Sequence, residues 1–491
     1  MPIQETDSEK GADSWIRRKI RILQGQATPR ILLFFIAVFL KILASALAAI
    51  GFVFSSPALM ISGTFIWLVW FGLLFLVAAP ATDRLLANQR RWLKPAALTI
   101  FVIFSTLGLG LLGVVTTVGL SSFQPAQTGS KMSQLVTSFD RIFTYNDSTA
   151  LCHQATKNVI DGKNPYAESN TVVAMIEFNG SFDKLTPLRE GRFAGVFPYP
   201  EMHQIDQLWQ EAAQNPEHVP PEIESRFCYP SGCFLLAAPL VLTGIDDLRI
   251  IFLILVLPAL AYIVWRGRQD LRIFLVAALL ISLELWNAMA AGETGFLYFP
   301  FMLLAWVLLR RHLWLSAVCM GIAVATKQVA WFFLPFYLVL IFRGMGWEKA
   351  LGAVSLVAGV FLAANAPFFI SDPELWIASM AAPMTDNLFP LGVGIISLVS
   401  GGLLDIQTPL IFTVLEAAIA IAAIIWYFFY CPRYPYTGPV LSVLPLFFAW
   451  RSLWAYFFYI DIIVLAAIVI NEYGMKPAGQ PVLKPGSIKA E

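Results

Sequence analysis

Charge is what this chain has least of. Among its 491 residues, 33 are Lys or Arg and 32 are Asp or Glu, 13 % in all. A typical soluble chain is about 25 % charged. The near balance of signs, net +1, removes the basic field that a polyanion-binding protein needs. Cysteine is scarce as well, and five residues are too few for a disulfide framework. Three of them, Cys152, Cys228 and Cys233, fall in or beside one polar segment. One disulfide there and three unpaired thiols are equally good readings. Four His without metal-ligand spacing argue against a zinc centre. What is present is apolar: 58 % of residues are hydrophobic and the mean hydropathy is +0.70. Soluble, disordered and nucleic-acid-binding classes are excluded, which leaves an integral membrane protein with many helices.

A membrane span needs about 20 apolar residues, fewer where the helix is buried in a bundle. The runs predict spans at 31–54, 58–79, 97–121, 249–265, 273–291, 295–309, 313–326, 328–342, 350–370, 409–430, 439–450 and 453–470. The expected fold is therefore an all-α polytopic membrane protein with about 12 transmembrane helices. Arg84, Arg90, Arg91 and Lys94, then Arg266, Arg268 and Arg272, then Arg310 and Arg311, sit in short loops on one side if the N-terminus is cytoplasmic. Arg343, Lys349 and Arg433 follow the same rule. Counting 232–244 as a full span would reverse it, so that stretch and 391–404 read as interfacial or re-entrant helices.

One segment breaks the apolar pattern. Residues 122–231 carry 13 acidic and 8 basic residues, and the topology puts them outside the cytoplasm. Stretches 148–161 and 201–213 read as helices lying on the membrane surface. The segment opens with Phe-Asp-Arg-Ile-Phe-Thr-Tyr-Asn-Asp (139–147), and Asp-Gly-Lys-Asn-Pro-Tyr (161–166) follows. Gly-Lys-Asn-Pro is turn chemistry that ends a helix. Asp147 thus stands at the N-terminal end of a surface helix, and local sequence alone favours a capping role for it.

Ionisable groups inside a bilayer are costly and mark functional sites by default. Lys41, Glu284, Glu416 and Asp461 lie within spans, and Glu293, Lys327 and Arg451 lie at outer ends. Lys41, Glu416 and Asp461 are expected to pair or hydrogen-bond with one another, and Lys41 has snorkelling as an alternative. Lys327 sits between two short apolar runs, at the turn of two antiparallel helices. A cation flanked by apolar wall suits a lipid phosphate; the plain alternative is an interfacial Lys. Arg451 occupies a similar outer turn and breaks the trend of positive charge inside.

The order of these pieces is familiar. An apolar span precedes an outer loop with an Asp, then a helix ending in Gly-x-Asn-Pro-Tyr, then Tyr229-Pro230 and Ala238-Pro239-Leu240. Gly292-Glu293, Arg310-Arg311 and Gly-x-Ala-x-Ala-Thr-Lys (321–327) follow. Over about 97–470 the chain resembles the GT-C superfamily of membrane glycosyltransferases, most closely the polyprenyl-phosphate-mannose-dependent mannosyltransferases of glycosyltransferase family 87. The resemblance implies a GT-C-like domain over 97–470 that includes the outer loop 122–231. Around it lie a cytoplasmic segment 1–30, an added hairpin and cytoplasmic loop 31–96, and a cytoplasmic tail 471–491.

It also implies a catalytic carboxylate, which falls on Asp147, and a donor-phosphate contact, which falls on Lys327, with Arg451 as a second cation. Tyr166 and Tyr229 fall at the acceptor or donor pocket. Family members carry Gly-Gln where this chain has Gly292-Glu293, and often Tyr-Pro-Pro where it has Tyr-Pro-Ser. Glu293 and Asp140 are further candidate carboxylates, Asp140 either orienting Asp147 or helping to bind a divalent cation such as Mg or Mn. No other cofactor is called for, and no metal site is assigned.

The expected activity is inverting transfer of a sugar from a polyprenyl-phosphate donor to a lipid, glycan or protein acceptor. It would take place on the extracytoplasmic face of a bacterial or archaeal plasma membrane, among membrane lipids and without nucleic acid. No phosphate-cradling Gly-rich loop is present, in keeping with a lipid-linked donor. A transporter or lipid flippase is the main alternative. Carriers commonly show internal repeats and a midplane site, and the sequence shows neither. A non-catalytic envelope scaffold is a third reading.

Overall fold

The computed structural model describes residues 27–54, 56–121, 144–178, 180–245 and 247–472. Almost everything in it is helix. Helix α1 (Pro29–Val53) starts at Thr28, whose hydroxyl accepts from the Ile31 amide, with Pro29 in the first turn where its missing donor costs nothing. Helix α2 (Pro57–Ala78) returns beside it. Helix α3 (Arg90–Ser121) packs across both α1 and the region 272–290. Over the polar segment come α4 (Asp147–Ile160), α5 (Thr171–Glu177) and α6 (Met202–Gln214). Helices are thus present at 148–161 and 201–213 within a residue of their expected limits. The Glu201 carboxylate and the Gln204 side chain form a reciprocal capping box that starts α6.

The bundle continues with α7 (Leu248–Arg266), α8 (Arg272–Ile281), α9 (Leu283–Ala290) and α10 (Gly295–Leu308). Next come α11 (Leu313–Val324), α12 (Val329–Met345), α13 (Trp347–Ser371), α14 (Pro373–Thr385), α15 (Leu410–Tyr430) and α16 (Ile460–Ala467). Among the described residues seven helical stretches are long and apolar enough to cross a membrane, or eight if α8 and α9 form one broken span. The remaining expected spans, at 295–309, 313–326, 328–342 and 439–450, are helices of 10–17 residues.

Two expected spans are not plain helices, and the two stretches expected as interfacial or re-entrant helices are shorter than expected. The run 273–291 bends by 54° between α8 and α9, at Ser282, whose hydroxyl bonds back to the Ala278 carbonyl. The run 453–470 is a single 3₁₀ turn at Trp454–Tyr456, then α16, then a π-helical end at Ile468–Glu472. Stretch 391–404 is a two-residue strand and one helical turn, and 232–244 is two single turns.

The hairpin α1–α2 is fastened to α16 by charge. Lys41 Nζ donates to Asp461 Oδ2 at 2.6 Å and to the Phe458 carbonyl at 3.0 Å, with both side chains fully buried. Glu284 Oε2 lies 3.6 Å from the same ammonium. At the end of the π-turn, Glu472 takes the Arg30 guanidinium at 2.6 and 3.2 Å, and Asp83 takes its Nε at 2.9 Å. The expected pairing of Lys41 with Asp461 is therefore present, whereas Glu416 lies elsewhere, in the wall of a cavity.

Removing one partner of a buried pair leaves an uncompensated charge and costs about 3–5 kcal/mol. Lys41→Met is expected to lose that much in thermal or denaturant unfolding of the detergent-purified chain. The double change Lys41→Met with Asp461→Leu should recover most of it. Equal losses in the single and double variants would contradict this role for the pair.

Candidate active site

Three turns converge on a single cavity of about 1600 Å³, lined among others by Asp147, Tyr229, Glu293, Lys327 and Arg451. The first turn leads into α4. Tyr145 donates to Asp247 Oδ1 at 2.9 Å and accepts from the Leu248 amide at 2.8 Å, which pins it to the start of α7. Asn146 caps α4 by accepting from the Thr149 amide at 2.9 Å. The capping role that local sequence favoured for Asp147 thus belongs to its neighbour. Asp147 is left facing the cavity, 8 % exposed, with the Ser148 amide donating to it at 2.6 Å.

The second turn joins α9 to α10. Gly292 has φ +73°, a left-handed conformation that closes the helix. The Glu293 amide bonds the Ala288 carbonyl at 2.9 Å and the Gly292 amide bonds that of Met289 at 3.1 Å. A β-carbon on Gly292 would also stand 3.1 Å from the Tyr145 ring. The Thr149 hydroxyl donates to the Gly292 carbonyl at 2.6 Å, and Asn146 Nδ2 donates to Glu293 Oε1 at 3.1 Å. These contacts dock the start of α4 on the α9–α10 turn and put Asp147 beside Glu293.

The third turn, between α11 and α12, carries Lys327. Its ammonium donates to Thr294 Oγ1 at 2.6 Å and sits 4.8 Å from the centre of the Tyr229 ring. Gln328 holds the Cys228 carbonyl, so the strand of chain bearing Tyr229 is tied to the lysine turn. Tyr166 does not line the cavity. It is buried behind the wall, and its hydroxyl donates to the Tyr229 carbonyl at 3.0 Å. The two tyrosines are connected, one facing the cavity and one supporting it.

Arg451 reaches the cavity from a small parallel pairing of Leu391–Gly392 with Arg451–Ser452. Gly392 has φ +140°, and a β-carbon there would fall 2.1 Å from the Ser452 carbonyl oxygen. Among the described residues the buried Nη1 of Arg451 has no acceptor. The signal for this support was the Leu-Gly-Val-Gly run at 391–394, which sequence reading took for part of an apolar helix.

The electrostatics follow from burial and charge. Burial pushes the Asp147 carboxyl above its ordinary range, and hydrogen bonds from Thr186 and Ser148 and the charge of Arg451 pull it partly back. Burial raises Glu293 as well; Lys327 opposes the rise and Asp147 adds to it. A carboxylate with a raised proton affinity and two cations around one cavity can take a proton and bind an anion. Among the described residues no three His, Cys, Asp or Glu side chains come together as metal ligands. Asp140 lies outside the described residues. All five cysteines are thiols, and Cys152 Sγ donates to the Cys233 carbonyl at 3.4 Å.

Residues 227–450 match the model of glycosyltransferase family 87. The match is consistent with a GT-C-type membrane glycosyltransferase, and with this many apolar helices the family suggests a membrane enzyme with a lipid-linked donor. No curated protein and no solved structure matches the chain. Tyr229, Glu293 and Lys327 fall within the stretch matched to family 87. Asp147, Tyr166 and Arg451 fall outside it, as does the hairpin α1–α2.

Sequence reading missed a second carboxylate pair at the rim. Glu224 faces Asp386, and Arg226 Nη1 lies 3.4 Å from the Asp386 carboxylate. Burial first, and then Asp386, pushes Glu224 up to about 8 from 4.5. Folded chains hold this proton where unfolded chains have lost it, so stability should fall as pH rises from 4.5 to about 8. Thermal unfolding across that window should show the slope, and Glu224→Gln should flatten it. An unchanged slope in the variant would refute the assignment.

Proposed function

We propose that the chain is an inverting glycosyltransferase. It moves a sugar, mannose or another hexose or pentose, from a polyprenyl-phosphate donor to a lipid, glycan or protein acceptor. The reading rests above all on one observation: Asp147, Lys327 and Arg451, from three distant parts of the chain, line one cavity.

In this reading the acceptor hydroxyl attacks the anomeric carbon on the face opposite the phosphate. The new C–O bond forms as the bond to the phosphate oxygen breaks. Asp147 receives the hydroxyl proton as general base, and its raised proton affinity suits that task. Negative charge grows on the departing lipid phosphate, where Lys327 and Arg451 supply fixed positive charge in a partly buried site. Glu293 is a positioning residue: it holds Asn146, and so the start of α4, in place. Tyr229 backs the ammonium of Lys327. With both termini in the cytoplasm, the basic short loops face inward and α4 to α6 lie on the extracytoplasmic face.

Incubation of membranes with radiolabelled polyprenyl-phosphate sugars is the direct test. A labelled product is expected, and uptake into liposomes without any product would favour transport instead. Asp147→Asn should lower kcat by about 10²–10⁴-fold, the usual worth of a general base, with membrane insertion intact; full activity would remove Asp147 from the reaction. Lys327→Ala should raise the KM for the donor. The acid limb of the rate profile should lie above the ordinary Asp range of about 4, because Asp147 must be ionised to act. Arg451→Gln should move that limb to still higher pH, since the guanidinium stabilises the carboxylate.

A further inference from the structure

The cavity does not stop at the catalytic candidates. Glu284 and Asn287 on α9, and Ala291 at its C-terminal end, line it at helical spacing i, i+3 and i+7. Glu284 is therefore about 10 Å along the helix axis from the turn that carries Glu293. The facing wall is α1, with Ser45, Ala48, Ala49 and Phe52 on one stripe. Ser45 donates to Glu284 Oε1. The other carboxylate oxygen, Oε2, is buried and accepts no hydrogen bond among the described residues, although Lys41 Nζ stands 3.6 Å away. The Lys41 ammonium is already bonded to Asp461 and to the Phe458 carbonyl. The ammonium balances the charge of Glu284 without saturating its acceptors, and the Glu284 side chain lines the cavity together with Ser45 and Asn287.

We infer that Glu284, with Asn287 above it and Ser45 across from it, forms a hydroxyl-recognising subsite for a sugar residue of donor or acceptor. A carboxylate in a cavity wall is an acceptor for pyranose hydroxyls. The Asn287 amide offers both a donor and an acceptor. The small side chains of α1 leave room for a ring, and Phe52 gives an apolar face for it. The subsite joins a helix within the family-matched stretch to a hairpin outside it, so it is a specificity device built from this chain's own addition. This inference rests on the transferase reading for its substrate, but the carboxylate and the cavity stand without it.

The test has two arms. In the first, the detergent-purified full chain is titrated with n-octyl mannoside, its 2-deoxy and 4-deoxy analogues, and an octyl mannobioside, read by ligand-induced thermal stabilisation. Wild type is expected to bind the hydroxylated glycosides at least tenfold more tightly than a deoxy analogue. Glu284→Gln and Ser45→Ala should each reduce that preference. In the second arm, transfer is measured with polyprenyl-phosphate mannose and the same glycosides as acceptors. Glu284→Gln is expected to raise one KM tenfold or more while kcat stays within threefold. A shift in donor KM assigns the subsite to the donor sugar, and a shift in acceptor KM assigns it to the acceptor. If the chain transfers no sugar, the transferase reading fails and the binding arm alone decides the subsite. Unchanged binding preference in both variants overturns the inference. If Glu284→Gln unfolds, Ser45→Ala decides by the same criterion.

Discussion

The buried contact between Lys41 and Asp461 is the constraint on which the other walls depend. An ammonium and a carboxylate removed from water at 2.6 Å tolerate little displacement, because separation would leave two charges in an apolar medium. The contact holds α1 against α16, and Arg30 with Glu472 repeats the tie nearer the chain ends. With α1 fixed, its stripe of small residues forms one wall of the cavity. With α16 fixed, the chain before it is held where Arg451 reaches the same cavity. Both walls follow from one ion pair that contributes no group to the proposed chemistry.

The site itself is made of turns, for a physical reason. A continuous membrane helix satisfies its own backbone and presents side chains mostly to lipid or to neighbouring helices. Where helices stop inside the bundle, amides and carbonyls need partners, and polar side chains are brought in to supply them. Asn146 closes α4, Gly292 closes α9, and Thr294 receives Lys327. Each solves a local problem of helix termination, and together they set a carboxylate and a cation on one wall. The short helices α10, α11 and α12 are what allow these ends to meet. Rigid turns also keep the charges in place without reorganisation, which is what stabilisation of a departing anion requires.

This division explains what could be read in advance. The long apolar helices, the two longer helices of the polar segment and the lining of one cavity by Asp147, Lys327 and Arg451 follow signals legible in the sequence, because hydropathy runs and isolated charges are local. The pairing of Lys41 with Asp461 was legible because so few charges lie within spans. The cap at Asn146 was not separable from Asp147, since both residue types cap well and only the backbone says which one does. The bend at Ser282 hid inside a uniformly apolar run. The Leu391–Gly392 pairing with Arg451–Ser452 joins segments about sixty residues apart through backbone groups alone, and no side-chain pattern announces it. Tyr166 carried the right motif and points elsewhere, because a motif fixes the path of the chain before it fixes which side chain meets the cavity.

Low charge and the site are one fact seen at two scales. A chain with few ionisable groups has little to screen or compete with those that remain, and most of its membrane-facing surface is apolar. Each charge that reaches a partly buried cavity therefore acts at a low effective dielectric, where its field is strong and its desolvation is costly. Burial raises Asp147 and Glu293 together, and the two cations pull them back. A carboxylate balanced in this way is neither fixed as an acid nor fully tamed as an anion. Glu284 carries the same logic deeper into the bundle: it is tied to a lysine that is already committed elsewhere. A carboxylate at that depth, in the wall of the cavity, can accept hydrogen bonds from a polar molecule that enters it. The gain in free energy is greatest for a ligand whose hydroxyls meet it in a fixed geometry, and geometry of that kind separates one sugar from another better than hydrophobic fit does.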